Sequence, residues 1–124
     1  MDVTPLLPKG HQVIDAYGGG GFKIAQNHYD GSVIVLPEIT HGWDVTDIAS
    51  CTPDTLQTIL QAVPKPEVVL IGGGSSFLPI PKALKQLFRD AGMAVEMMDT
   101  GAACRTYNIL LAEGRRVAAA LIAV

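Results

Sequence analysis

Residues 98–124, MDTGAACRTYNILLAEGRRVAAALIAV, decide how this chain reads. Asp99 and Thr100 are short polar side chains, and either suits a helix N-cap. Ala103, Cys104, Tyr107, Leu110 and Leu111 then recur at helical spacing over a wide arc. That pattern predicts a well-buried helix over 100–113. Gly114 stops it, Arg115 and Arg116 follow, and 117–124 is unbroken apolar sequence. The expectation is a strand from 116 to the end, either central in a sheet or a covered edge.

Working upstream, 94–98 reads as another strand. Before it, Leu84, Leu87, Phe88 and Ala91 share one face of a helix that starts near Pro79 or Pro81 and ends at Gly92. Residues 67–71 are a short apolar strand with the paired valines Val68 and Val69, a pattern of burial on both faces. Thr52-Pro53-Asp54 is a helix start, with Thr52 as N-cap and Pro53 in the first turn. Leu56, Ile59, Leu60 and Val63 continue it as one apolar face, and Pro64 and Pro66 end it. From 67 onward the order is therefore β-α-β-α-β, which suits parallel pairing through right-handed crossovers.

The first third is different. Residues 12–17, 22–26 and 32–36 read as short strands, interrupted by four glycines at 18–21 and by the Asp30-Gly31 turn. A further short strand is expected over 43–47. Residues 1–10 carry Pro5, Pro8 and Gly10 without a period and read as a loosely held lead-in. The fold class is thus α/β, one domain over 1–124, with a small antiparallel β-layer added to the parallel half.

Composition narrows the function classes. The chain is 48% hydrophobic and 17% charged, with net charge −3. This is unlike a disordered chain, and nothing in the charge favours nucleic acid or an anionic membrane. The longest apolar run is far shorter than the ~20 residues of a spanning helix. The opening MDVTPLLPKG has no basic-then-apolar signal pattern and is not Arg-rich, so a cytoplasmic location is expected. Cys51 and Cys104 are expected to be reduced. Neither they nor His11, His28 and His41 show metal-ligand spacing, so no metal or other cofactor is expected.

Two stretches are candidates for a site. The first is the loop Gly72, Gly73, Gly74, Ser75, Ser76, between a buried strand and a helix. Its backbone N–H groups suit an anion, or its glycines simply serve a tight strand exit. It lacks the Lys-Ser or Lys-Thr of a P-loop and the third glycine of a dinucleotide fingerprint. The second is the polar stripe of the last helix, where 101, 105, 108 and 112 share a face. Arg105 and Asn108 lie side by side there, and Gly101 leaves room above them. Arg105 is suited to clamp a carboxylate or phosphate, or to pair with Asp99 or Glu113 in a structural network. Thr100 adds a hydroxyl. If the strands are parallel neighbours, both stretches meet at one sheet rim. Cys104, near a helix N-terminus, is a candidate nucleophile, but it lies in the apolar arc and reads first as a small hydrophobe. Trp43 reads as a core or loop anchor.

The tail M-D-T-G-A-A-C-R-T-Y-N-I-L-L-A-E-G-R-R-V-A-A-A-L resembles the signature of a widespread small domain family of unknown function. That family includes the mitochondrial respiratory complex I assembly factor 3 and an adipogenesis-associated protein. Further matches are GGGGF at 18–22, SVIVLP at 32–37, Trp43, VVLIGGG at 68–74 and LPIP at 78–81. Gly73 departs from the pattern, since relatives often carry Gly-Thr-Gly, and the anion reading loses a hydroxyl there. The resemblance implies a three-layer α/β domain with a mixed central sheet, no established catalysis and no known cofactor. It implies protein partners in the assembly of a membrane complex, and a chain of the bacterial kind. Thr100, Cys104, Arg105, Asn108 and Glu113 match the motif. Two functions stand: a non-enzymatic binding module for such assembly, or a pocket that binds, with or without enzymatic turnover, a small anionic ligand and is built from Gly72, Gly74, Ser75, Ser76, Thr100, Arg105 and Asn108.

Overall fold

The computed structural model of the chain describes residues 10–75 and 79–124. Most of the expected lead-in (residues 1–9), Ser76 and Leu78 of the LPIP motif lie outside them. Eight strands are described: β1 Ile14–Gly18, β2 Gly21–Ile24, β3 Asn27–Asp30, β4 Val33–Val35, β5 Thr40–Gly42, β6 Val68–Gly72, β7 Ala94–Met98 and β8 Val117–Leu121. The helices are α1 Gln57–Leu60, α2 Lys82–Asp90 and α3 Thr100–Ala112.

The centre is a five-stranded mixed sheet of order β5-β4-β8-β6-β7. Strand β8 runs parallel to β6 and antiparallel to β4, and β6 runs parallel to β7. The closing apolar strand is therefore central, with all five residues buried. Its side chains alternate between two cores. Ala118 and Ala120 face Leu56, Ile59, Leu84 and Phe88 of the α1–α2 layer. Val117, Ala119 and Leu121 face Ala103, Cys104, Tyr107 and Leu111 of α3, together with Ile14, Phe22 and Ile24 of a second sheet. That second sheet is the antiparallel β1-β2-β3 meander. The three-layer α/β fold with a mixed central sheet and a small antiparallel β-layer is thus the observed architecture.

Three local expectations need correction. The helix expected from 53 to 63 is a 3-10 turn, Pro53–Leu56, followed by the single turn α1. Val63 is 93% exposed and does not belong to its apolar face. The strand expected over 43–47 lies earlier, at β5. The chain leaves the sheet at Trp43, whose indole Nε1–H donates to the Thr55 carbonyl at 2.7 Å and ties the 3-10 turn to the core. Strand β3 was not expected at all. The β1–β2 turn is Gly19-Gly20 with both φ values positive, the geometry that matches strand twist. The β2–β3 turn has the same length and sign but is built from Ala25 (φ 48°) and Gln26 (φ 68°). Neither residue signals a turn. Tertiary bonds hold it instead: Ala25 N–H donates to the Val13 carbonyl, and Gln26 N–H to Asp15 Oδ2, both at 2.9 Å.

Candidate functional site

The loop after β6 and the start of α3 meet at one rim of the sheet. Parallel pairing of β6 with β7 puts both strand ends there, with Gly72 opposite Met98. Gly72 permits the close approach: a Cβ on it would lie 3.0 Å from the Thr100 Cα. Gly74 has φ +98°, a backbone that a side chain would strain.

The contact is a closed knot. Thr100 is fully buried. Its hydroxyl accepts from Gly74 N–H at 3.0 Å and donates to the Ile122 carbonyl at 2.7 Å. Thr100 N–H donates to the Gly74 carbonyl, and Ile122 N–H to the Gly72 carbonyl, both at 2.9 Å. One side chain therefore stitches loop, helix and closing strand. Asp99, not Thr100, is the N-cap: its Oδ1 accepts from Ala102 N–H at 2.8 Å. That carboxylate stands where an external anion would meet the helix end.

Arg105 and Asn108 sit elsewhere, against β1. Asn108 Oδ1 accepts from Ile14 N–H at 2.9 Å, and its Nδ2 donates to the Ile14 carbonyl at 2.8 Å. The amide thus pairs both backbone groups of one strand residue. Arg105 is exposed and donates through Nη1 to Tyr17 Oη at 3.1 Å, with no ion pair to Asp99 or Glu113. The room left by Gly101 is taken by the same tyrosine: a Cβ there would lie 2.6 Å from Tyr17 Oη. Sequence reasoning missed Tyr17 and Ile14 because the α3–β1 contact joins positions about 90 apart. Gly101 within a helix start was the one available hint.

A cleft of about 440 Å³ opens beside the loop, lined by Gly73, Gly74, Ser75, Thr46, Asp47 and residues 122–124. Thr100, Arg105 and Asn108 do not line it. Of the candidate residues, the structure joins Gly72 and Gly74 to Thr100, and places Arg105 and Asn108 apart from them.

The cysteines are held as thiols. Burial pushes Cys104 up to about 12, with neighbouring Arg105 opposing. Burial also raises Cys51, opposed by its Thr55 contact. A thiol held protonated is a poor nucleophile at neutral pH. Among the described residues, no three His, Cys, Asp or Glu side chains gather to hold a metal, and no helix is long and apolar enough to cross a membrane.

Geometry of this kind defines a class: a three-layer α/β domain whose conspicuous polar residues hold its own backbone together. The chain belongs to the family described as protein of unknown function (DUF498/DUF598), which matches residues 14–122. It is 35% identical over 109 residues to NADH dehydrogenase (ubiquinone) 1 alpha subcomplex assembly factor 3 of Mus musculus. That match covers 88% of this chain, and the chain spans 59% of the mouse protein's length. A solved structure from Bartonella henselae, described as an outer membrane protein, superimposes with TM-score 0.86 at 42% identity, covering 93% of this chain and 97% of that one. A Bordetella pertussis protein described as an Mth938-like domain gives TM-score 0.81 at 30% identity, covering 98% and 92%.

Proposed function

We propose that this chain is a non-enzymatic protein-binding module, acting from the cytoplasm in the assembly of a respiratory or other membrane complex. The observation that carries this reading is the match to the complex I assembly factor over 88% of this chain. The geometry supports it: the residues best suited to chemistry are spent on internal hydrogen bonds, and Cys104 is a buried thiol. A deletion strain tests it. Loss of the chain should lower the amount of fully assembled NADH–quinone oxidoreductase, or of another membrane complex, on native gels. Re-expression should restore it. Unchanged levels of every such complex would overturn the reading.

A second reading has one observation in its favour, the cleft beside Gly73, Gly74 and Ser75. A small anion held there by the Ser75 N–H and hydroxyl is the alternative function, since the Gly73 and Gly74 N–H groups are already given to the Met98 carbonyl and the Thr100 hydroxyl. Asp47 lines the same cleft, and its carboxylate opposes an anion. Thermal-shift measurements with inorganic phosphate and with citrate test it. Binding would raise the melting temperature by mass action, and Ser75→Asp would remove the rise.

A further inference from the structure

Among the described residues, strand β7 is an edge of the central sheet and pairs only with β6. Ala94 N–H donates to the Glu67 carbonyl at 3.0 Å, and the Met98 carbonyl accepts from Gly73 N–H at 2.9 Å. Residues 94, 96 and 98 therefore direct their backbone groups at β6. By strand alternation, Val95 and Met97 direct theirs outward. Among the described residues, nothing pairs with those outward N–H and C=O groups.

Helix α2 roofs this edge. Val95 and Met97 pack their side chains into the same core as Leu84 and Phe88. Clefts of about 410 and 490 Å³ open between α2 and β7, and both are lined by Lys85 and Val95. Arg89 lines the first and Lys82 the second. These three cations are exposed, and among the described residues none is in an ion pair. Glu96, exposed on β7, is the one carboxylate lining these clefts, beside Pro79 and Ile80. A chain of net charge −3 thus sets three cations against a single carboxylate along this edge, a local excess of positive charge.

We propose that the outer edge of β7, beneath the Lys82–Lys85–Arg89 rim, is a docking edge for an extended acidic segment of a partner protein. The segment adds as a sixth strand. Backbone groups of Val95 and Met97 supply the pairing, and the rim selects acidic side chains. A second copy of this chain does not suit the edge. Twofold pairing of β7 with itself would bring two cationic rims together. The inference rests on the binding-module reading and names the surface and the partner's chemistry.

The test is an NMR titration of the ¹⁵N-labelled chain with a capped peptide of about eight residues, alternating glutamate and threonine. The expected result is saturable shifts of the Val95 and Met97 amides that weaken with salt, with no such shifts from a lysine–threonine counterpart. Methylating alternate peptide nitrogens discriminates further. One pattern, facing β7, should abolish binding, and the other, facing solvent, should leave it intact. Lys85→Glu with Arg89→Glu changes exposed residues only, and should weaken the acidic peptide by about tenfold or more. Equal binding of both peptides, equal effects of both methylation patterns, or unmoved Val95 and Met97 amides would overturn the proposal. In that case the lysine rim serves only to guard the edge against aggregation. The assembly reading fails separately. A normal membrane complex in the deletion strain sinks that reading without touching the titration, whereas a failed titration leaves the assembly defect standing.

Discussion

Helix α3 meets the rest of the molecule twice through polar side chains, and the two meetings differ. At its first turn Thr100 is wholly buried and binds three elements at once, with Gly74 N–H and the Ile122 carbonyl as its partners. Two turns later Asn108 is half-buried and clamps Ile14, while Arg105 lies in solvent against Tyr17. Side chains of similar chemistry on one helix thus differ in worth because water competes for them unequally. In the buried knot, losing a partner strands a backbone group without water. On the outer stripe, water replaces what is lost at Arg105 and part of what is lost at Asn108.

Thr100→Val sharpens the comparison most. It keeps the shape and orphans a buried N–H and a buried carbonyl, so a loss of about 2–4 kcal/mol is expected. Thr100→Ser should retain most of the stability. Urea denaturation of the three proteins checks this, and a Val variant as stable as the parent would dissolve the contrast.

Next comes an alkaline effect on the buried side of the same helix. The Cys104 thiol is raised from 9.0 to about 12 in the fold. Its contribution is fully present below the unfolded value near 9. As pH climbs above that, the unfolded chain releases a proton that the folded chain keeps, so stability falls until about pH 12. Cys51 and Tyr107, both raised by burial, act in the same direction. Cys104→Ala should flatten the fall between pH 9 and 11 in melts recorded across that range, and an unchanged slope would assign it to the other groups.

Asn108→Ala should cost about 1–2 kcal/mol, less than the knot, because the bonds it removes are part-buried rather than buried. Hydrogen exchange should quicken at the start of β1 before it quickens in β8. Arg105→Ala is the smallest change, within about 0.5 kcal/mol, since an exposed guanidinium–phenol contact resembles other surface contacts. A larger loss in the same denaturation series would mean that the stripe carries more of the fold than its exposure implies.

The β-α-β-α-β half was legible because its signals are local. Val68 to Ile71, the face of Leu84 and Phe88, and the arc of Ala103 to Leu111 each declare their element within a few residues. The meeting of loop and helix start also followed, since parallel strands bring their carboxyl ends to one rim. What that meeting does was not legible. Whether the Thr100 hydroxyl faces a pocket or a backbone depends on where Ile122 lies, and no local pattern carries that. The same holds for β3, whose turn at Ala25-Gln26 is held by Val13 and Asp15 from the neighbouring strand.

Sequence alone determined the layered α/β class, the buried closing strand and the family, because periodicity and motif spacing are properties of neighbouring residues. Tertiary structure alone decided that β8 lies at the centre, that β7 is left as an edge beneath three cations, and that Thr100 and Asn108 hold backbone. Those facts depend on which distant segments share a core. Burial there sets whether a polar group answers to water or to the chain itself.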